Sequence, residues 1–556
     1  MKNRLFLLSL ISVLTLGLFS CKHNNSSTDN TLSQETSSSN NSESLDDISK
    51  YLGTNLEANL ISDNYRTFYE IFVGAYSDSN NDGIGDLKGL SKRMDYLNDG
   101  NLNSGNSLGI TGIWLMPIMP SPSYHKYDVK DYENIDPKYG TLEDFNELSK
   151  ICDERDVKLI IDMVLNHSSS EHPWFIEATN AIKRGDLDNK YIDYYTIIHE
   201  DEKNDVQGRI FYQIGNTDYY YEGNFSPVMP ELNFDNDELK EEFKDVIKFW
   251  VDLGVDGFRL DAVKYIYMGE DKKNIEFLKW FDQECKNVKE DFYLVGEDWS
   301  NEQHIIDYYE AINCFDFTFS EINGDFCSAV RKINSVTSLT RHTENYITKV
   351  KDKNEDAIVH PFLSNHDMDR VGGYMNKKTG NAYTVSNLYL LAPGNPYIYY
   401  GEEILMKGSR GTSSTDANRR LAMRWGDGDT IQNPVGSTYK EELQINGTVV
   451  SHQQDENSLL NHYKKLIQIR NAYPEIARGE YHSINSEIST FGGFYSEYNN
   501  QVVGVFHNVD NKEINIDLSK LTNINFTVLR VSVGLNNAKL EGSILTIGGQ
   551  TSVILK

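Results

Sequence analysis

The feature that most constrains the fold is a short apolar run that ends in ionisable side chains. The run from Val251 to Val255 leads into Gly257–Ala262, which contains Arg259 and Asp261. Such runs are typical of buried strands, whose side chains alternate between two faces. Arg259 and Asp261 should therefore share a face, and the cation favours the ionised form of the carboxylate. A structural ion pair would explain these two residues alone.

Three further stretches repeat this pattern along the chain. Asp162–His167, Gly296–Trp299 and Phe362–Asp367 each follow an apolar run and bring polar or charged groups to its end. In a parallel α/β barrel, the carboxyl ends of the strands form the active site. The four stretches are therefore expected to meet at one end of a closed parallel sheet.

Taken together and in this order, the four stretches resemble the characteristic regions of the α-amylase family, glycoside hydrolase family 13. The resemblance extends from about Asn64 to Trp425, and Met229–Asn233 resembles a fifth region of the family. Its Met-Pro beginning is similar to a subgroup between oligo-1,6-glucosidases and neopullulanase-like enzymes. The resemblance implies an α/β fold, a (β/α)8 TIM barrel with a domain B inserted after strand 3 and a C-terminal antiparallel β-sandwich.

Glycoside hydrolysis needs a proton for the leaving oxygen and a negative charge beside a cationic sugar. By resemblance, Glu297 is the general acid/base, Asp261 is the nucleophile and Asp367 stabilises the transition state. Burial and neighbouring carboxylates should raise the pKa of Glu297. A nucleophile and an acid roughly 5 Å apart imply retention through a covalent glycosyl-enzyme.

The resemblance also implies sugar contacts around the bond that is cleaved. In this reading a tyrosine of the loop after strand 2 stacks on the sugar ring, and an aspartate beside it bonds nearby hydroxyls. A Tyr-rich structural loop is an alternative for that aspartate. The implied substrate-binding residues are Tyr127, Asp128, His167, Arg259, Lys264, His366 and Arg370.

The loop after the first predicted strand has oxygen-bearing side chains on alternate residues. This is the pattern of a calcium loop, although Gly89 stands where an EF-hand has glutamate. An Asn/Asp-rich surface turn is the alternative. The family resemblance favours Ca²⁺ here and adds a second Ca²⁺ between barrel and insertion. The expected ligands are Asp78, Asn80, Asp82, Ile84 and Asp86 in the loop and Asn166 at the second position.

The N-terminus has the pattern of a secreted lipoprotein. Residues 1–20 combine a basic start with an apolar stretch too short for a comfortable membrane span, and Cys21 follows a lipobox-like sequence. An ordinary signal peptide is the alternative. Residues 21–61 are polar and predict a disordered tether. We therefore expect an extracytoplasmic protein anchored by lipid on Cys21 to a bacterial membrane. Both the surface side and the periplasmic side of that membrane are compatible with the sequence.

The composition bounds the partners. The 53 Lys and Arg residues against 83 Asp and Glu residues give a net charge of −30, which argues against a nucleic-acid partner. We expect a monomer that takes an uncharged α-glucan as substrate. The remaining cysteines have no metal-binding spacing and are expected to be buried thiols. The predicted domains are the barrel (62–167 and 236–476), domain B (168–235) and the sandwich (477–556).

These expectations combine into one function, a retaining endo-type hydrolase of α-1,4 bonds in starch or maltodextrins. In the family that the chain resembles, a small residue directly after the nucleophile accompanies specificity for α-1,4 bonds, and Ala262 is small. The alternatives are an exo-acting α-glucosidase, or an oligo-1,6-glucosidase or transglycosylase on the same scaffold. A non-catalytic glucan-binding lipoprotein is opposed by the presence of Asp261, Glu297 and Asp367.

Overall fold

The computed structural model describes residues 56–205, 208–411 and 416–556. The predicted signal peptide, Cys21 and most of the predicted tether lie outside the described residues. The strands, in chain order, are β1 (Phe68–Ile71), β2 (Gly112–Leu115), β3 (Lys158–Met163), β4 (Ile197–His199), β5 (Phe211–Gln213), β6 (Tyr219–Glu222), β7 (Gly257–Leu260), β8 (Tyr293–Gly296), β9 (Asn313–Cys314), β10 (Tyr397–Tyr399), β11 (Glu480–Ile484), β12 (Phe491–Tyr498), β13 (Gln501–Asn508), β14 (Ile514–Asp517), β15 (Leu529–Gly534), β16 (Ala538–Glu541), β17 (Ile544–Ile547) and β18 (Thr551–Leu555).

The helices form the outer layer of the barrel and its connections. Several of them begin at residues that the sequence favours as caps; for example, Thr141 and Asp144 form a reciprocal capping box. The helices are α1 (Leu87–Lys92), α2 (Met94–Leu97), α3 (Leu142–Glu154), α4 (Pro173–Arg184), α5 (Asp237–Asp252), α6 (Asp271–Val288), α7 (Glu302–Tyr308), α8 (Asp325–Val330), α9 (Val336–Lys353), α10 (Asn381–Leu390), α11 (Val449–Gln453), α12 (Leu459–Ala472) and α13 (Pro474–Arg478).

The main sheet is a parallel barrel. Its strands pair in the order β10-β1-β2-β3-β7-β8-β9. The remaining position is filled by the segment around Phe362, which bridges Tyr397 in parallel, and the His360 carbonyl accepts the backbone N–H of Asp316. The predicted (β/α)8 fold is therefore confirmed.

The inside of the barrel is a packed aromatic core. The ring of Phe68 stacks on those of Tyr397 and Tyr293, at centroid distances of 4.7 and 5.4 Å. Trp114 lies nearer the carboxyl ends of the strands, where its ring meets those of Phe315 and His366. Because bulky rings fill the inside of the barrel as they fill any protein core, a catalytic site can form only at the ends of the strands.

The predicted insertion follows β3 and contains α4 and a small antiparallel sheet, β4-β6-β5. An isolated bridge between His167 and Glu231 connects its two ends. The insertion thus leaves and rejoins the barrel beside the carboxyl end of β3.

The C-terminal part consists of antiparallel sheets, as predicted. One sheet has the order β11-β12-β13-β18-β15 and the other β14-β17-β16. Buried side chains from both sheets, including Phe506 and Leu545, form one apolar cluster between them. Among the described residues, no helix has the length and apolar character needed to cross a membrane.

Candidate active site

A cavity of about 590 Å³ opens where the parallel strands end. Its lining comes from loops after several barrel strands and from the insertion, so residues far apart in sequence meet there. The lining residues are Tyr124, His125, Tyr127, His167, Phe225, Met229, Asp261, Ala262, Lys264, Tyr265, Glu297, Trp299, Asp367, Asp416 and Arg420.

Arg259 is the electrostatic centre of this site. Its guanidinium is fully buried, and Nη1 donates to both Asp162 and Asp261 at 2.8 Å. The neighbouring Nη2 donates to Glu297 at 2.7 Å. One rigid, planar cation therefore holds the predicted nucleophile and the predicted acid side by side.

The environment of Glu297 suits a carboxyl group that carries a proton near neutral pH. Burial raises its pKa to about 7; Arg259 opposes this shift, and Asp261 and Asp367 add to it. The Ala262 N–H lies 3.4 Å from the same carboxyl group, and Ala262 adopts the left-handed conformation with φ 47°. A non-glycine residue held in this region beside a reactive group is typical of functional sites.

Asp367 is the opposite case, a carboxylate held in its charged form. Burial alone would raise its pKa, but His366 and Arg420 lower it well below the usual range. His366 Nε2 lies 3.1 Å from one carboxylate oxygen, and an Arg420 nitrogen donates to the other. Asp367 can therefore accept hydrogen bonds from sugar hydroxyls.

Other predicted contacts also reach the cavity. Tyr127 lines it, and its hydroxyl lies 2.7 Å from His366 Nε2 and 3.1 Å from Asp162. His167 Nε2 is buried and, in the described part of the chain, has no protein hydrogen-bond partner. Lys264 lines the cavity while its Nζ donates to the carbonyl of Trp299.

The prediction for Arg370 needs correction. Its guanidinium is buried over the rings of Tyr399 and Tyr400, 4.1 and 4.6 Å from their centroids. It donates to the Tyr400 carbonyl at 2.6 Å, so it supports the loop after β10 and does not line the cavity. Arg420, which the sequence analysis missed, reaches Asp367 instead.

Asp128 also differs from its expected role. It is buried and accepts hydrogen bonds from Ser121 at 2.6 Å and from Ser123. It is not part of the cavity lining, whereas His125 is. The structural reading of this loop therefore describes Asp128 better than a direct sugar contact.

The predicted calcium loop, Asp78–Asp86, is organised by its own hydrogen bonds. Asp78 accepts three backbone N–H groups of the loop, and Asp86 caps α1. Over the described ranges, no three His, Cys, Asp or Glu side chains are grouped to hold a metal ion. The donors named for the loop are all oxygens, which suits Ca²⁺, and they include amide and carbonyl oxygens as well as carboxylates.

For Asn166, the second predicted cation ligand, the supporting observation is a buried side-chain oxygen. Its Oδ1 is buried and has no protein hydrogen-bond partner within the described residues. Its own carbonyl accepts the N–H of Leu232, where the insertion returns to the barrel. An unsatisfied buried acceptor is costly unless a ligand completes it.

Some residues of the site could not be assigned from sequence patterns. Phe225 and Trp299 line the cavity with about half of each side chain exposed, 47% and 44%. Trp299 stands in a recognised stretch, but Phe225 lies in the irregular insertion, where no period marks it. Asp162 has a signal, since a charged residue inside an apolar strand must have a partner.

The chain is similar to known proteins over most of its length. The model of the alpha-amylase catalytic domain matches residues 70–479. Alpha-amylase 3 of Dictyoglomus thermophilum is 36% identical over 496 residues, 88% of this chain and 92% of that protein. A 4-alpha-glucanotransferase of Thermotoga maritima is 28% identical, over 80% of this chain and 96% of its own.

Among solved structures, Eubacterium rectale Amy13B matches with a TM-score of 0.82 and 36% identity. The match covers 90% of this chain and 97% of that one. The chain therefore belongs to the α-amylase family, glycoside hydrolase family 13, and is a glycoside hydrolase of that family.

Proposed function

We propose that this enzyme cleaves internal α-1,4 bonds of starch and maltodextrins with retention of configuration. The observation that carries the proposal is the pairing of Asp261 and Glu297 on the single guanidinium of Arg259. The pKa of about 7 for Glu297 leaves it able to donate a proton at neutral pH. Retaining glycosidases require such a close pair of carboxyl groups.

In the proposed reaction, Glu297 transfers its proton to the glycosidic oxygen as the bond to the anomeric carbon breaks. Asp261 attacks that carbon and forms a covalent glycosyl-enzyme. Glu297, now ionised, removes a proton from water, which attacks the same carbon and releases Asp261. Asp367 binds hydroxyls of the distorted sugar and stabilises the positive charge that develops in both steps.

Endo action is supported by the rim of the cavity. Trp299 stacks on Phe317 at a centroid distance of 5.1 Å, and Phe225 from the insertion packs against Tyr265. Partly exposed aromatic faces beyond the acids offer apolar surfaces for additional sugar units. Ala262 lines the cavity without filling it, which is consistent with an α-1,4 substrate.

A product analysis tests this proposal. Amylose, pullulan and isomaltose would be digested in parallel, and the products followed over time together with their anomeric configuration. Endo-type α-1,4 cleavage predicts early mixed maltooligosaccharides of α configuration from amylose and no glucose from isomaltose. Glu297→Gln should reduce turnover by at least a thousandfold while amylose binding persists, since the carboxamide cannot supply the proton.

A second candidate is transfer of the glycosyl group to another sugar. The similarity to a 4-alpha-glucanotransferase favours it, and the aromatic rim could hold a sugar acceptor in place of water. Products longer than the substrate, formed early from maltotriose, would identify transfer. Hydrolysis of maltose to glucose would instead identify an exo-acting α-glucosidase, and glucose from isomaltose would identify an oligo-1,6-glucosidase.

We also propose the two Ca²⁺ positions, one in the loop Asp78–Asp86 and one at Asn166. The oxygen donors of the loop support the first position, and the Oδ1 of Asn166, which has no hydrogen-bond partner among the described residues, supports the second. Bound Ca²⁺ would neutralise the acidic loop and connect the barrel with the insertion.

For the N-terminus we propose lipid attachment at Cys21, which would place the enzyme outside the cytoplasm on a bacterial membrane. The basic start, the apolar stretch and the cysteine support this. Cys21→Ser should move the protein from the membrane fraction to the soluble fraction, as judged by immunoblot. An unchanged distribution would contradict the anchor.

A further inference from the structure

Glu70 is a charged residue in a place where charge is costly. It lies in β1, between buried apolar neighbours, and is 1% exposed. A buried carboxylate persists only with a close, hydrogen-bonded partner. That partner is His366: Glu70 Oε1 lies 2.6 Å from its Nδ1 and 3.3 Å from its backbone nitrogen.

The other side of the same imidazole faces the active site. His366 Nε2 lies 2.7 Å from the Tyr127 hydroxyl and 3.1 Å from a carboxylate oxygen of Asp367. The ring is fully buried and is fixed by an edge contact with Trp114. Burial lowers the pKa of His366, but the carboxylates of Asp367 and Glu70 outweigh it and raise the pKa to about 10.

We propose that Glu70 is a positioning residue of the reaction, which holds His366 as an oriented imidazolium that in turn supports Asp367 and Tyr127. Glu70 does not touch the cavity and acts only through the imidazole. A carboxylate behind a histidine fixes the ring orientation and stabilises its protonated form. The inference rests on the proposed function, since it assigns a role within the same site.

The groups around His366 determine what its charge does. Burial raises the pKa values of Asp162 and Glu297, and the charge of His366 opposes this shift in both. Asp367 depends most directly on His366, which lowers the pKa of that carboxyl group. Arg259 lies beyond Tyr127, and Arg420 donates to the His366 carbonyl. If His366 lost its proton, Asp367 would be a weaker acceptor for sugar hydroxyls, and the pKa of Glu297 would rise further.

Glu70→Gln removes the negative charge and keeps the shape. We expect kcat on amylose to fall at least tenfold with a smaller change in KM, because Asp367 acts mainly in the transition state. Both limbs of the pH–rate profile should move to higher pH, since Asp367 and Glu297 would each hold their protons more tightly. Glu70→Asp, which keeps the charge, should recover part of the lost kcat.

Glu403→Gln is the matched control. Glu403 is also a fully buried carboxylate, held by the hydroxyls of Tyr69 and Tyr96, but it has no contact with His366. It should leave the pH profile unchanged even if the melting temperature falls. A profile that moves equally in both variants would show a general effect of lost buried charge and would overturn the inference.

Two further measurements separate this inference from the proposed function. In ¹⁵N-histidine spectra of the full chain, the signal of His366 is identified by its loss in His366→Asn. In the wild type this imidazolium signal should persist to high pH, whereas in Glu70→Gln the ring should become neutral at a lower pH. Adding Glu70→Gln to His366→Asn should cause no further loss of kcat. A wild type without glucan activity would refute the function alone, whereas unchanged histidine titration or fully additive losses would refute the role of Glu70.

Discussion

At the scale of single residues, the site is a balance of charge. The single guanidinium of Arg259 contacts three carboxyl groups, those of Asp162, Asp261 and Glu297. Carboxyl groups therefore outnumber the cation that binds them. A second group, His366 and Arg420, serves Asp367. Because buried carboxylates cannot all remain ionised around one cation, a proton is retained, and Glu297 is well placed to hold it.

This balance predicts the pH dependence of catalysis. The pKa of Glu297 is raised above its ordinary value, so its protonated form persists below about pH 7 and is lost as the pH rises through that value. The proposed acid must be protonated, so kcat/KM for amylose should fall on the alkaline side with an apparent pKa near 7. A value of kcat/KM that does not change between pH 6 and pH 9 would contradict the assignment. The Asp201→Asn variant, at a solvent-exposed position, serves as a control and should leave the pH profile unchanged.

The residue scale also marks the limit of sequence patterns. The roles of the acids were predicted from the resemblance of their stretches to those of the α-amylase family, and each stretch also follows an apolar run. The family resemblance implied a substrate contact for Arg370, but its side chain turns to the rings of Tyr399 and Tyr400. Arg420 makes the contact from another loop, and no local pattern indicates which loops converge.

At the scale of elements, some helix starts carry a clear sequence signal, whereas strand lengths do not. Thr141 and Asn236 cap α3 and α5 as their sequences predict. The stretch at residues 391–403 predicts the eighth barrel strand, yet β10 covers only three residues of it. Gly394, with φ 78°, lies where an added Cβ would be 2.0 Å from the Val359 carbonyl, so the chain turns there before pairing.

The loop Asp78–Asp86 carries a prediction at this scale. If Ca²⁺ binds it, chelation should lower the Tm, because a ligand at a hundred times its Kd contributes about 2.7 kcal/mol. We expect a fall of several degrees in differential scanning calorimetry, reversed by added Ca²⁺. Asp78→Asn should weaken this response, whereas Asp201→Asn, in the insertion, should keep it. A melt insensitive to chelator would remove the calcium proposal.

At the scale of the whole molecule, the barrel and the C-terminal sheets share a core. Val503, Val531 and Ile554 belong to the same apolar cluster as the barrel helices. Asn387 of α10 donates to the Val533 carbonyl at 3.2 Å and to Ser552 at 3.0 Å. The C-terminal sheets, which carry no predicted catalytic residue, therefore support the helical layer of the barrel.

This shared core predicts a cooperative loss of activity. Ile554→Ala should destabilise the protein by about 2–5 kcal/mol, because a fully buried side chain leaves a cavity. Activity and C-terminal structure should be lost in one transition at a lower temperature. Ile544→Ala is the matched control, since that side chain is 41% exposed. If activity survived to the wild-type temperature in Ile554→Ala, the two parts would be independent.

The thiols of the described chain have a practical consequence. Cys152, Cys285, Cys314 and Cys327 are all free and buried. The catalytic body therefore needs no oxidant to mature, and reducing agents should leave it intact. A cysteine engineered on the insertion, and another on the opposite rim, would react with maleimide dyes ahead of these buried sulfurs, so fluorescence transfer between the two dyes could measure the distance across the cavity with and without a glucan chain.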